Sequence, residues 1–561
     1  MNKIILTLIF IFWNALHIWF LKLNEILKIA DSFAYLQMSH YLKDFSLEWF
    51  WSWWFGFLYS LPIAFIDFFV KNDMLSAFII NILLFNIFLW ICYILWKKFL
   101  STKYNTLFLV LLFLSPVLLH YNINILSENI YIPLFMILFL WILNYKENPN
   151  FSGSFFLWFM VALLYLTRSE AFIYLWSIGL IIFYLFLSKK ISFSKSFLNF
   201  ITVIISFFIF IFPYLFYLHS ITWEWWLTNK WSANLRQAEL RWISKMDDDG
   251  FEQAVWELTL DNHHLIAGFA WWLKYDKPEK TISMRDYILN NKQEIFNRSI
   301  ENGQKLYTNN IPNLALWNAQ SLYKIEWGKI FYQNKIFLVI ISIPLILILY
   351  WIFVLIKKWE YYFLFSFFSF FLVAQLFFSL FFILDRYFII FVPIFIFFMV
   401  YWIEKIWTDL KKYIENTKFI LFSILLISIY SLWMLSYYNT FKNEDSLYEV
   451  KKIAWEWLSK YHGGNITWKT HLKILERFPV VTYYAKTKER WLTPYTSKLE
   501  DLVEYARFNN INYLVVDSID FKKYRKNLLF LLNDNNKKYN WLLKLKEFEQ
   551  NWEKLILYRI K

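Results

Sequence analysis

Residues 336–355 read IFLVIISIPLILILYWIFVL, with no Asp, Glu, Lys, Arg or His among them. As a helix, a run of that length covers a hydrocarbon core of roughly 30 Å. A helix also satisfies its own backbone groups there, which an open strand does not. Working outward, similar stretches fall at 4–20, 75–95, 107–124, 129–144, 152–166, 171–187, 197–217, 361–384, 388–403 and 418–437. With 335–355 they predict about eleven spanning helices in an α-helical polytopic membrane protein. The first carries no small-residue cleavage site after it and reads as a retained helix. Composition agrees: 59% of the 561 residues are hydrophobic, 24% aromatic and 18% charged. Cys92 is the one cysteine, so no intramolecular disulfide forms.

The apolar stretch 49–70 is ambiguous, and the charge pattern decides it. If it does not span and the N-terminus is inside, the loops 96–106, 145–151, 188–196, 356–360 and 404–417 are cytoplasmic. They hold Lys97, Lys98, Lys103, Lys146, Lys189, Lys190, Lys195, Lys357, Lys358, Lys405, Lys411 and Lys412. The opposing short turns hold Arg168 and Arg386. A spanning 49–70 would invert every later loop and reverse the positive-inside bias. Pro62 and Asp67 also disfavour a crossing, so 49–70 is expected to be re-entrant or juxtamembrane. The same bias accounts for the net charge of +14 without nucleic acid. The expected localisation is the cytoplasmic (inner) membrane, with the C-terminal region extracytoplasmic.

Four regions follow. Residues 1–217 form an N-terminal membrane module and 218–334 a polar, mostly helical extracytoplasmic loop. Residues 335–437 add the last spanning helices, and 438–561 form a soluble domain. In that last region the amphipathic KLEDLVEYARFNN (498–510) precedes the apolar NYLVVDS (512–518), and the chain closes on LILYRI (555–560). Alternation of helix and buried strand predicts a small α/β domain. His263 and His264 beside Asp261 form the nearest approach to a metal motif, and read as a solvated surface pair.

The chain has 32 Trp and 9 Gly, whereas ordinary usage of about 7% would give roughly 39 Gly. Together the two residue types number 41. This points to a gene in which UGA encodes glycine but has been read as tryptophan. Trp51, Trp53 and Trp54 then become a glycine-rich entry to the juxtamembrane segment. A Trp-rich interfacial belt leaves the glycine deficit unexplained, so no sugar-stacking role is assigned to any Trp.

The loop after the first helix reads IADSFAYLQMSHYLKD (29–44). Asp31 there either caps a helix over 32–43 or serves as a carboxylate that accepts a proton at the membrane face. Glu128 either complements the dipole at the start of a helix or belongs to a site. Arg168 and Arg386 lie at helix boundaries on the face poor in cations. They either snorkel to headgroups or bind phosphate, and Glu170 stands close enough to neutralise Arg168. Asp67 is either a functional intramembrane carboxylate or a residue at the rim of the juxtamembrane segment.

Several segments share an order with a known group. Asp-Ser-x-x-Tyr-Leu at 31–36 comes first, followed by FGFLYSLPIAFIDFF (55–69) and LSPVLLHYNINILSENIYIPLF (114–135). LLYLTRSEAFIYL (163–175), DRYFIIFVPIFIF (385–397) and the α/β tail complete the series. This resembles the C superfamily of polytopic membrane glycosyltransferases, including protein O-mannosyltransferases and aminoarabinose transferases. Ser169 stands where the group usually has proline, the usual proline pair near 62 is missing, and 218–334 is not recognisable. The resemblance implies a donor sugar on a polyprenyl phosphate, a lipid, glycan or protein acceptor, and inversion at the anomeric carbon. It implies Asp31 as base and Glu128 as a second acidic position that orients the acceptor or helps hold a divalent cation. Arg386 and Arg168, with Tyr35 and Tyr387, would bind the donor. A non-catalytic envelope scaffold and a lipid-linked oligosaccharide transporter are the rivals. A transporter would show two similar halves with broken midplane helices, and no such repeat is present.

Overall fold

A computed structural model describes residues 2–23, 30–45, 56–222, 289–307, 361–381 and 385–410. In the C-terminal region it describes 449–462, 472–476, 480–485, 489–491, 499–518, 528–533, 541–550 and 553–561, with a few single residues between these ranges. The expected span 335–355, most of 418–437, and His263 and His264 lie outside the described residues.

The described helices are α1 (Asn2–Leu23), α2 (Ala30–Lys43), α3 (Ser60–Val70), α4 (Asp73–Trp96), α5 (Thr102–Phe113), α6 (Pro116–Ile123) and α7 (Glu128–Tyr145). They continue with α8 (Phe151–Thr167), α9 (Tyr174–Leu187), α10 (Phe193–Thr222), α11 (Lys292–Lys305), α12 (Tyr361–Ser379), α13 (Asp385–Phe388) and α14 (Val392–Leu410). Six described helical stretches are long and apolar enough to cross a membrane, or seven if the bent pair α5 and α6 is one span. That bend of 53° has a local cause. Ser115 accepts from the Leu118 N–H, and Pro116 starts the new helix where its missing N–H costs nothing.

Helix α3 has 11 residues, about 16 Å of rise, well short of a roughly 30 Å core. It exposes Leu61, Phe65, Phe68 and Phe69 and buries Asp67, the pattern of a helix lying along an apolar medium. Asp67 pairs with Lys43 and accepts from Ser76 Oγ at 3.5 Å. His40 pairs with Asp73 at 2.8 Å. The C-terminal end of α2 is thereby tied to α3 and α4.

The chain divides into two compact units. The first comprises Met1–Lys22, Met38–Thr228 and Gln293–Tyr438; the second comprises Leu23–Gln37, Asn229–Lys292 and Asn439–Lys561. In the first unit, aromatic interlocking replaces the hydrophobic effect, which is weak between helices in lipid. Phe135 packs against Tyr174, Phe370 and Phe391 with ring centroids 5.4–5.6 Å apart. Helix α11 closes the end of α12. Arg298 donates to the Leu380 carbonyl at 2.8 and 3.1 Å, and Asn302 donates to Ser379 and Phe381. These are carbonyls a helix C-terminus leaves without internal partners.

The second unit contains a five-stranded sheet of order β2-β1-β3-β5-β4. Its strands are β1 (Lys473–Leu475), β2 (Glu489–Trp491), β3 (Tyr513–Asp517), β4 (Leu542–Gln550) and β5 (Glu553–Ile560). β1 runs parallel to β2 and β3, while β5 is antiparallel to β3 and β4. β3 is buried at every position, so it carries a continuous apolar run rather than an alternating one. The predicted helix and both predicted strands of the tail form, as Leu499–Phe508, β3 and β5.

Candidate functional site

The first unit contains a buried chain of alternating charges at the start of α7. Glu128 is completely buried, and its Oε1 accepts from Arg386 Nε at 2.9 Å and from Arg168 Nη1. Arg168 Nη2 donates to Glu170 Oε1 at 2.9 Å. Ser127 Oγ lies 3.4 Å from the second Glu128 oxygen. The Arg168 guanidinium sits over the rings of Tyr131 and Tyr387, 5.7 and 5.6 Å from their centroids. Arg168 and Glu170 are also buried, whereas the Arg386 side chain remains 29% exposed. Taking charges out of water costs several kcal/mol per ion unless partners compensate. Alternation of sign along Glu170, Arg168, Glu128 and Arg386 supplies that compensation and leaves Arg386 outermost.

Local sequence explains how Glu128, Arg168 and Arg386, far apart in the chain, meet. Glu128 opens α7, where a carboxylate complements the helix dipole. Arg168 is the extended residue between α8 and the 3-10 turn Ser169–Ile173. Arg386 lies in the short helix α13.

The turn before Glu128 is fixed by asparagines. Asn129 Nδ2 donates to the carbonyls of Tyr121, Asn124 and Leu126 at 2.9–3.1 Å. Asn122 donates to Asn129 Oδ1 at 3.0 Å, and Asn81 on α4 donates to the carbonyls of Asn122 and Asn124. Residues 124–127 therefore make a non-helical corner between α6 and α7, and the backbone acceptors in and beside it are met by side-chain amides, as a buried turn requires.

Of the residues singled out from sequence, Glu128, Arg168, Arg386 and Tyr387 come together. Tyr387 is packed flat on Phe378, with ring centroids 4.2 Å apart, and borders Arg168. Asp31 and Tyr35 fall in the second unit. Tyr35 is buried and Asp31 half-buried. The helix reading of Asp31 needs a correction. α2 begins at Ala30, so Asp31 lies inside the first turn rather than at the cap. Sequence reasoning did not single out Tyr131, Asn81 or Asn129. The polar run Asn122, Asn124, Ser127, Glu128, Asn129 inside an apolar region was the available signal for the corner. Among the described residues, no three His, Cys, Asp or Glu side chains converge as a metal centre would require.

No protein-family model matches the chain, and no curated protein sequence does. Among solved structures it is similar to ArnT from Cupriavidus metallidurans bound to undecaprenyl phosphate. That match has 10% identity and a TM-score of 0.42, over 98% of this chain and 97% of that one. It is also similar to the archaeal oligosaccharyltransferase AglB from Archaeoglobus fulgidus in complex with an inhibitory peptide and a dolichol-phosphate. There the identity is 12% and the TM-score 0.47, over 90% of this chain and 68% of that one. At identities of 10–12% no residue of this chain inherits a role from them.

Proposed function

We propose that the chain is a membrane glycosyltransferase that moves a sugar from a polyprenyl-phosphate carrier to a lipid, glycan or protein acceptor. The reaction is placed at the outer face of the cytoplasmic membrane. The observation that carries it is Arg386, a partly exposed guanidinium held from behind by a completely buried Glu128. Ionisable groups inside a membrane protein are costly and mark ligand or charge pathways. A group that only snorkels to headgroups has no need of a buried carboxylate to aim it.

The chemistry uses few residues. The acceptor oxygen attacks the anomeric carbon while its proton passes to the Asp31 carboxylate. The bond from the anomeric carbon to the phosphate oxygen breaks, and its electron pair stays on the phosphate. One displacement inverts the centre. Phosphate leaves as a stable anion, so it needs cationic stabilisation rather than a general acid, and Arg386 supplies that. The charge bias puts the Asp31 loop and the Glu128, Arg168 and Arg386 turns on one membrane face.

Glu128 and Arg168 take supporting roles in this reading. The Glu128 oxygen nearest Arg386 already accepts from two guanidinium groups, a setting that disfavours a bound cation and aims Arg386 instead. Arg168 is buried between two carboxylates and two tyrosine rings, which suits a strut better than a phosphate ligand. Tyr35, one helical turn after Asp31 on α2, shares its helix face and borders the base.

The test is incubation of purified protein with a panel of polyprenyl-phosphate sugars. Release of the polyprenyl phosphate in the presence of an envelope acceptor fraction supports the function. A protein that releases none of them, while folded and monodisperse, is not this enzyme.

A further inference from the structure

One short stretch outside the charged chain touches both of the turns that build it. Gly56 lies against the end of α8. A Cβ at that position would stand 2.2 Å from the Leu166 carbonyl oxygen and 2.3 Å from that of Thr167. The contacted atoms are backbone and have no side chain to swing aside, so only glycine fits. Two residues on, the Leu58 N–H points to the Leu166 carbonyl at 3.4 Å. Arg168 follows directly in sequence. Tyr59 is completely buried, and its hydroxyl donates to Asn81 Oδ1 at 2.5 Å. The amide of Asn81 then donates to Asn122 and Asn124 at 2.9 and 3.0 Å, which holds the corner before Glu128.

We propose that residues 56–60 act as a splint that sets the Arg168 turn against the Glu128 corner, with Gly56, Tyr59 and Asn81 as positioning residues for Arg386. The proposal rests on the functional reading above for its consequence in catalysis. Its geometry belongs wholly to the first unit. Glu128 Oε1 receives one guanidinium from each direction, so the carboxylate stays in place only while both turns keep their spacing. A shift of either turn by an ångström would lengthen one charged contact and re-aim Arg386. Misplacement on that scale costs roughly a hundredfold in rate at a reacting centre. The juxtamembrane segment thereby gains a purpose that crossing the membrane would not give it. Gly56 stands where a Cβ would collide with two backbone carbonyls.

Tyr59→Phe is the sharp test, because it removes one hydroxyl and keeps the ring. We expect kcat/KM for lipid-linked sugar to fall by roughly ten- to a hundredfold. Because the splint acts through Arg386, the same change in an Arg386→Ala background should alter the residual rate by less than about twofold. An undiminished effect in that background, or no effect in the unmutated one, overturns the splint. Gly56→Ala should abolish turnover, or fail to fold if α8 cannot move. A second cycle separates this proposal from the functional one. Thermal unfolding in detergent of Tyr59→Phe, Glu128→Gln and the double variant should show a combined shift smaller than the sum of the two. Should the unmutated protein transfer no sugar, the functional reading falls and this cycle decides the splint alone. Additive shifts then overturn it.

Discussion

Arg386 Nε meets Glu128 Oε1 at 2.9 Å across 258 positions of sequence, and the carboxylate it meets is closed to solvent. Arg168 approaches the same oxygen from the other side. Glu128 is an acceptor that two guanidinium groups share, so its loss bears on both cations at once.

Its removal should therefore be costly. Glu128→Ala leaves Arg168 with Glu170 alone and strips Arg386 of its buried partner. Breaking a buried pair by deleting one member costs about 3–5 kcal/mol. Glu128→Gln keeps the volume and one acceptor oxygen and should cost less. Thermal unfolding in detergent should order the variants as unmutated protein, Gln, then Ala. Equal melting points would mean that the chain of charges is not holding the turns.

Much of the fold was legible because membrane spans announce themselves. Runs such as 75–95, 129–144 and 171–187 return as α4, α7 and α9. The tail strand at 512–518 was legible for a related reason, since β3 is buried on both faces and carries the continuous apolar run Leu514–Val516. β1 and β2 were not, because three residues each leave too little pattern to read. For the site, position was legible and connectivity was not. Glu128 and Arg386 stood out as charges at helix ends, but nothing in sequence says that a carboxylate at 128 and a guanidinium at 386 share a bond. Gly56 and Tyr59 act through a backbone contact and one hydroxyl, neither of which has a periodic signature.

Arg386 should act on the donor. A charge-assisted contact to phosphate is lost in Arg386→Ala, so the apparent affinity for a polyprenyl phosphate should fall by roughly ten- to a hundredfold at about 1.4 kcal/mol per decade. Titration of the purified variant with the lipid phosphate reads this directly. Unchanged affinity would remove Arg386 from the donor site and leave it a structural ion pair.

Topology follows from the lysines. Reporter fusions after residue 104 should score cytoplasmic and those after residue 445 extracytoplasmic. The opposite signals would mean that 49–70 crosses, despite the 11-residue length of α3. The Asp31 loop would then lie on the other face from Glu128.

Codon usage is the next check. Among the described residues, the indole N–H groups of the buried Trp13 and Trp158 have no hydrogen-bond partner. A buried donor left unmet costs about 1–3 kcal/mol, an odd feature to repeat in one protein. Glycine at such positions carries no such group. Most of the 32 Trp codons should be UGA, and mass spectrometry of the native protein should find glycine there. Predominant UGG codons would return these positions to tryptophan and require another reason for the glycine deficit.

The central claim is that Asp31 accepts the acceptor's proton, and Asp31→Asn tests it most directly. The side chain keeps its size and loses its negative charge, and with it the capacity to take a proton. Asp31 lies in the first turn of α2, where losing the charge costs about 0.3–1 kcal/mol of dipole interaction, so the protein should still fold. Removing a general base lowers turnover by about 10²–10⁴-fold. The measurement is the rate of sugar transfer from a polyprenyl-phosphate donor by folded Asp31→Asn protein beside the unmutated enzyme. A loss on that scale with an unchanged melting point is the predicted result. Transfer at the unmutated rate would contradict the mechanism.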